Sequence, residues 1–169
     1  MLAAIIADND TLTAFKKHLE SEWGLESLLF IEDAFAWRRA YADLAASARL
    51  ARARKIAAVY VATSGTNAIN LSDAVARNIT SKLNARAKDA PLDCFEEAVH
   101  ELAVLMERGA VPRFVSSRAF ASTPLGAKQR GRTGHTSVRF QDGSWFGALA
   151  VRASSGFAAT SSTNAAGAS

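Results

Sequence analysis

The chain has one cysteine, Cys94, in 169 residues. That excludes an internal disulfide and makes a reducing compartment the simpler expectation. It also lacks any long apolar run. The apolar start, Met1 to Ala7, has no basic residues ahead of it and ends at Asp8 and Asp10, too short for a signal peptide or a membrane span. The longest later run, Ile56 to Ala62, is far below the roughly 20 residues that a spanning helix needs. A cytoplasmic protein is expected, meeting a membrane only through a partner.

Chemical motifs are missing as well. No glycine-rich phosphate loop precedes a helix, and no His-x-x-x-His or Cys-x-x-Cys offers metal-ligand spacing. The three histidines, His18, His100 and His135, are scattered. Cys94 falls in the first turn of a predicted helix, where the dipole would lower a thiol pKa, yet Asp93, Glu96 and Glu97 act the other way. A buried, idle thiol is the expectation. The pairs Glu96-Glu97 and Glu32-Asp33 are sequence neighbours that diverge on a helix, and they are expected to be solvated faces. Nothing points to an enzyme, a catalytic residue, a cofactor or a bound metal.

The net charge of +4 is informative once divided. Residues 1–120 balance 15 basic against 15 acidic side chains, while residues 121–169 hold Lys128, Arg130, Arg132, Arg139 and Arg152 against Asp142 alone. The excess charge therefore lies in the tail, and the rest has no sign bias that would attract nucleic acid.

What is present is helical periodicity. Asp10 or Thr11 can cap a helix bearing Leu12, Phe15 and Leu19. After Gly24, a longer pattern runs from Glu26 to about Leu44. Leu28, Ile31 and Phe35 form one stripe there and Trp37, Tyr41 and Leu44 another, as in a central helix of a bundle. Ala45 to Ala53 is rich in Ala and Arg and reads equally as helix or connection. Ile56, Val59 and Tyr60 give a further face, and Ser64-Gly65-Thr66-Asn67 is a turn. Ser72 is placed to cap a helix with Val75, Ile79 and Leu83. Asp93 with Glu96 suggests a capping box opening a helix with Phe95, Val99, Leu102 and Met106, closed at Gly109 before Pro112 and a short apolar turn, Phe114-Val115. An all-α bundle of about seven to nine helices over 1–120 is expected. Residues 121–169 read as a low-complexity basic tail, mostly disordered, with a hairpin signal at 137–152 around Asp142-Gly143.

Three stretches in register resemble the regulator of G-protein signalling family. The first runs from Phe15 through Leu19, Glu22-Trp23 and Glu26-Ser27-Leu28 to Phe30. The second is Ile69-Asn70-Leu71 ahead of a helix. The third runs from Phe95 through Leu105-Met106-Glu107 to Pro112-Arg113-Phe114-Val115-Ser116-Ser117. Together they span roughly residues 2–120. The sequence departs from the family's pattern at Ser27, where asparagine is usual, at Ile31, where tryptophan follows the Phe, and at Gly109 and Ala110, where Asp and Ser stand.

The resemblance implies a nine-helix bundle, acting as a monomer, that binds the switch regions of a heterotrimeric Gα subunit, accelerates its GTP hydrolysis and ends the signal, if need be at the inner face of the plasma membrane. It implies partner-binding roles for Trp23, Glu26, Ser27, Asn70, Leu105, Gly109, Ala110 and Arg113. Each has a plainer alternative. Trp23 can close a core, Glu26 can be a first-turn carboxylate favoured by the helix dipole, Asn70 can serve its own loop, and Arg113 can form an intramolecular ion pair. Two other readings stay open: a non-catalytic interaction module of the same family, and an unrelated bundle whose basic tail binds RNA or acidic lipid.

Overall fold

The computed structural model describes residues 1–130. The described residues form nine α-helices: α1 Leu2–Ala7, α2 Asn9–Ser21, α3 Leu25–Ala40, α4 Ala46–Tyr60, α5 Asp73–Lys82, α6 Glu96–Arg108, α7 Ala110–Val115, α8 Arg118–Ala121 and α9 Pro124–Arg130. A single 3-10 turn, Tyr41–Asp43, joins α3 to α4, and no strand occurs among these residues. The all-α expectation therefore holds. The hairpin signal at 137–152 lies outside the described residues.

The apolar stripes became one continuous core. Leu12, Phe15 and Leu19 of α2 are buried, and so are Leu28, Ile31 and Trp37 of α3, while Phe35 and Tyr41 are half-buried at the edge of the core. Helix α3 packs on α4 and α6, and α5 on α6; α1 and α7 lie against α6, α2 against α3, and α8 and α9 against α2. Edge-to-face rings link the helices: Phe95 meets Phe30 at 5.7 Å and Trp37 at 5.3 Å, and Phe114 meets Phe120 at 5.3 Å. Each such side chain contributes roughly 1.5–3 kcal/mol by leaving water.

The apolar start, too short to span a membrane as expected, forms α1, where Leu2, Ile5 and Ile6 find burial. Several local expectations are corrected. The cap of α2 is Asp8, not Asp10 or Thr11: Asp8 has extended backbone, and its Oδ1 accepts the Thr11 N–H at 2.8 Å. Asp93 is no capping residue. Helix α6 begins at Glu96, and Asp93 pairs with Lys82 at 3.1 Å. Pro112 lies inside the first turn of α7, where its missing N–H leaves nothing unsatisfied. Helical order also continues past residue 120, through α8 and α9. Gly126 sits so close to the Phe120 carbonyl that a side chain there would collide with it.

The arginine-rich stretch at 46–60 is helix α4, and its charges tie down one end of the bundle. Arg49 grips Asp89 with two bonds, and Arg54 donates to the Leu83 carbonyl at 3.1 Å. Arg38 meets Glu96 at 2.7 Å, and Tyr41 Oη donates to the Ala90 carbonyl at 2.9 Å. The connection from α5 to α6 is thereby pinned beneath the α3–α4 turn. No described helix is long and apolar enough to cross a membrane.

Candidate functional site

At the opposite end, α2 stops in a tight turn. The Gly24 N–H reaches back to the Leu19 carbonyl at 3.0 Å, and the Glu22 N–H to the same oxygen at 3.1 Å. Trp23 occupies the left-handed position of this turn with φ 55°, the only non-glycine residue with positive φ among those described. Glycine is the usual occupant there, and a side chain in that conformation costs about 1–2 kcal/mol. The indole is also 91% exposed. Trp23 therefore closes no core, and its backbone carries strain that no contact within the fold repays. The alternative in which it closes a core is corrected by this exposure.

The residue before it anchors the site. Glu22 takes both ends of the Arg113 guanidinium, Nε and Nη2, each at 2.7 Å. The arginine holds the Glu22 carboxyl below its ordinary value, and the carboxylate raises Arg113 in turn. His18, stacked between Phe15 and Phe114, lies with Nε2 3.4 Å from the same carboxylate. Arg113 nevertheless remains 59% exposed. An exposed pair contributes little to stability. What the bidentate geometry supplies is direction: it fixes the plane in which the guanidinium is presented.

Gly109, between α6 and α7, lies against this arginine: a Cβ built on it would stand 3.8 Å from Arg113 Nη1 and 3.2 Å from the Leu105 carbonyl. Leu105, one turn earlier, is 51% exposed. Ala110 is buried, so its side chain belongs to the core. Glu26 and Ser27 are half-buried in the first turn of α3, directly after the Trp23 turn.

Asn70 reaches the same end from the long connection after α4. That connection folds back on its helix: the Asn67 N–H donates to the Val59 carbonyl at 3.1 Å and the Ile69 N–H to the Tyr60 carbonyl at 2.9 Å. Tyr60 is held by Asp33 at 2.8 Å, and burial with this bond pushes its phenol well up. Ile69 and Leu71 pack against the core, while Asn70 between them is exposed and makes no hydrogen bond among the described residues. Ser72, expected to cap α5, holds the N-cap position without capping it. Its N–H and Oγ instead donate to Glu101 of α6, at 2.6 and 2.8 Å. Glu101 precedes Leu105 by one helical turn.

Trp23, Arg113 and Gly109 are thus joined through Glu22, and Asn70 is joined to the Leu105 segment of α6 through Ser72 and Glu101. Sequence reasoning missed both carboxylates, because a lone Glu shows nothing of a partner distant in the chain. Cys94 lies outside the site, buried just before α6, and burial pushes its thiol up to about 11. Glu96 and Glu97 remain solvent-accessible, as expected, and from there they hold Arg38 and Asn78.

An exposed indole and carboxamide on connections, with a guanidinium from α7 and an aliphatic side chain from α6, present one end of the helical bundle as a surface suited to contacting another macromolecule. The class so defined is a helical partner-binding domain. The chain belongs to the regulator of G protein signaling domain family, whose model matches residues 1–123. None of the curated proteins matches the chain. Family membership places it in the regulation of G-protein signalling, and the family generally binds Gα subunits.

Proposed function

We propose that this domain is a GTPase activator: it binds the switch segments of a Gα subunit and accelerates GTP hydrolysis there, without being an enzyme itself. A Gα subunit carries its catalytic arginine in cis, so its partner need not donate an acid, a base or a charge. The partner accelerates the reaction by binding the switch segments best in their transition-state geometry.

The observation that carries this reading is the exposed, unbonded Asn70 amide at the same end of the bundle as Trp23 and the Glu22-oriented Arg113. An amide both donates and accepts. It can therefore hold two switch segments in one arrangement, close to the catalytic glutamine. Trp23 and Leu105 supply the apolar contact, Glu26 and Ser27 the polar contact beside the Trp23 turn, and Arg113 with Gly109 the closing edge. Ala110 supports that edge from within. The domain acts as a monomer in the cytoplasm and is drawn to the inner face of the plasma membrane by its partner.

Single-turnover GTP hydrolysis by a cognate Gα tests the reading. Micromolar domain should accelerate the reaction, and Asn70→Ala should remove about tenfold or more of that acceleration, the effect of one or two lost hydrogen bonds. Binding with no acceleration would reject it. A non-catalytic family module is the second reading, favoured by Gly109, which leaves Arg113 without the carboxylate that the family pattern has at that position. Under that reading Asn70→Ala leaves partner affinity unchanged.

A further inference from the structure

The geometry points to Glu101 as a positioning residue for Asn70, acting through Ser72; this inference rests on the activator reading above. Ser72 stands where a serine ordinarily accepts a hydrogen bond from the first turn of the helix that follows. It makes no such cap. Its hydroxyl proton and its backbone N–H both point to one carboxylate, Oγ to Glu101 Oε2 at 2.8 Å and N to Oε1 at 2.6 Å. Both bonds are assisted by the full negative charge of Glu101 and are among the stronger and more directional hydrogen bonds available.

Helix α5 is not the beneficiary of this arrangement. It forgoes a cap by it, and it is already fastened to its neighbour by buried Val75 and Ile79, by Asn78 on Glu97 at 2.8 Å and by Lys82 on Asp93 at 3.1 Å. What the Glu101 clamp fixes is the chain just before Ser72. On the near side the Ile69 N–H is bound to the Tyr60 carbonyl of α4 at 2.9 Å. On the far side Ser72 is bound to α6. Asn70 lies between these anchors, exposed and making no bond of its own. Its backbone is thus held from two helices while its amide is left for a partner. Glu101 lies one turn before Leu105, so the same helix that offers an aliphatic contact sets the register of the amide beside it.

The test uses the full chain with a cognate Gα in single-turnover hydrolysis, comparing Asn70→Ala, Glu101→Ala, Ser72→Ala, Ser72→Thr and the double variant Asn70→Ala/Glu101→Ala. Glu101→Ala and Ser72→Ala should each reduce acceleration about tenfold, while Ser72→Thr, which keeps the hydroxyl, should retain most of it. In the Asn70→Ala background, Glu101→Ala should remove less than about a further twofold, because residues acting through one group are not additive. Amide exchange at Ser72 should quicken in Glu101→Ala.

Full acceleration by Glu101→Ala, alongside a loss in Asn70→Ala, would overturn the positioning role and leave the activator reading intact. Additive losses, with a lowered melting temperature, would assign Glu101 a merely structural part and overturn it too. An unimpaired Asn70→Ala would overturn the activator reading itself, and the positioning role with it.

Discussion

The tryptophans at the two ends of α3 are used in opposite ways. Trp37 is 1% exposed, donates its indole N–H to the Arg49 carbonyl at 3.1 Å and is packed edge-on against Tyr41 and Phe95. Its end of the bundle is laced by Arg38, Arg49 and Arg54. Trp23 is 91% exposed on a strained backbone, and Asn70 and Leu105 on that end also face water. One end is optimised for cohesion. The other leaves an indole, an amide and an aliphatic side chain in water, which adds nothing to cohesion and is what the proposed Gα contact would require.

The sharpest way to break this comparison is Trp37→Ala. It leaves a cavity, so unfolding in denaturant should show a loss of about 3–5 kcal/mol. The fraction still folded should engage Gα normally. Gly109→Asp adds to the other end what it lacks. The new carboxylate would lie beside Arg113 and should tighten Gα binding by about 1–3 kcal/mol, measured by titration against the GDP–aluminium fluoride form, while the close Leu105 carbonyl must shift slightly to admit the new Cβ. A weaker complex would show that Glu22 alone already sets the arginine. The smallest effect is expected from Trp23→Gly. Relief of the left-handed strain should stabilise the free domain by about 1 kcal/mol while Gα affinity falls. A variant that loses stability would remove the contrast between the two ends.

The helices were legible because one physical signal fixes them. Phe15, Leu28 and Leu102 lie on apolar stripes of helical period, and each of these residues is buried where its period places it. Caps were less legible. Asp8 and Asp10 both offer a carboxylate near the start of α2, and the choice between them depends on which backbone is extended, a tertiary matter. Ser72 misled for a similar reason: a carboxylate from another helix competes for its hydroxyl and wins. Within the candidate site, Asn70 and Arg113 could be singled out by likeness to a family. Glu22 lies in a family-like stretch, but neither its tie to Arg113 nor that of Glu101 to Ser72 could be read there, since the partners stand 91 and 29 residues away.

The Glu22–Arg113 tie has a consequence for how this surface can exist at all. The carboxylate comes at the close of the second helix and the guanidinium from the seventh, so the patch appears only after nearly the whole described chain has come together. No excised peptide and no half-domain could carry it, and its recognition ability should vanish cooperatively with the fold rather than piece by piece.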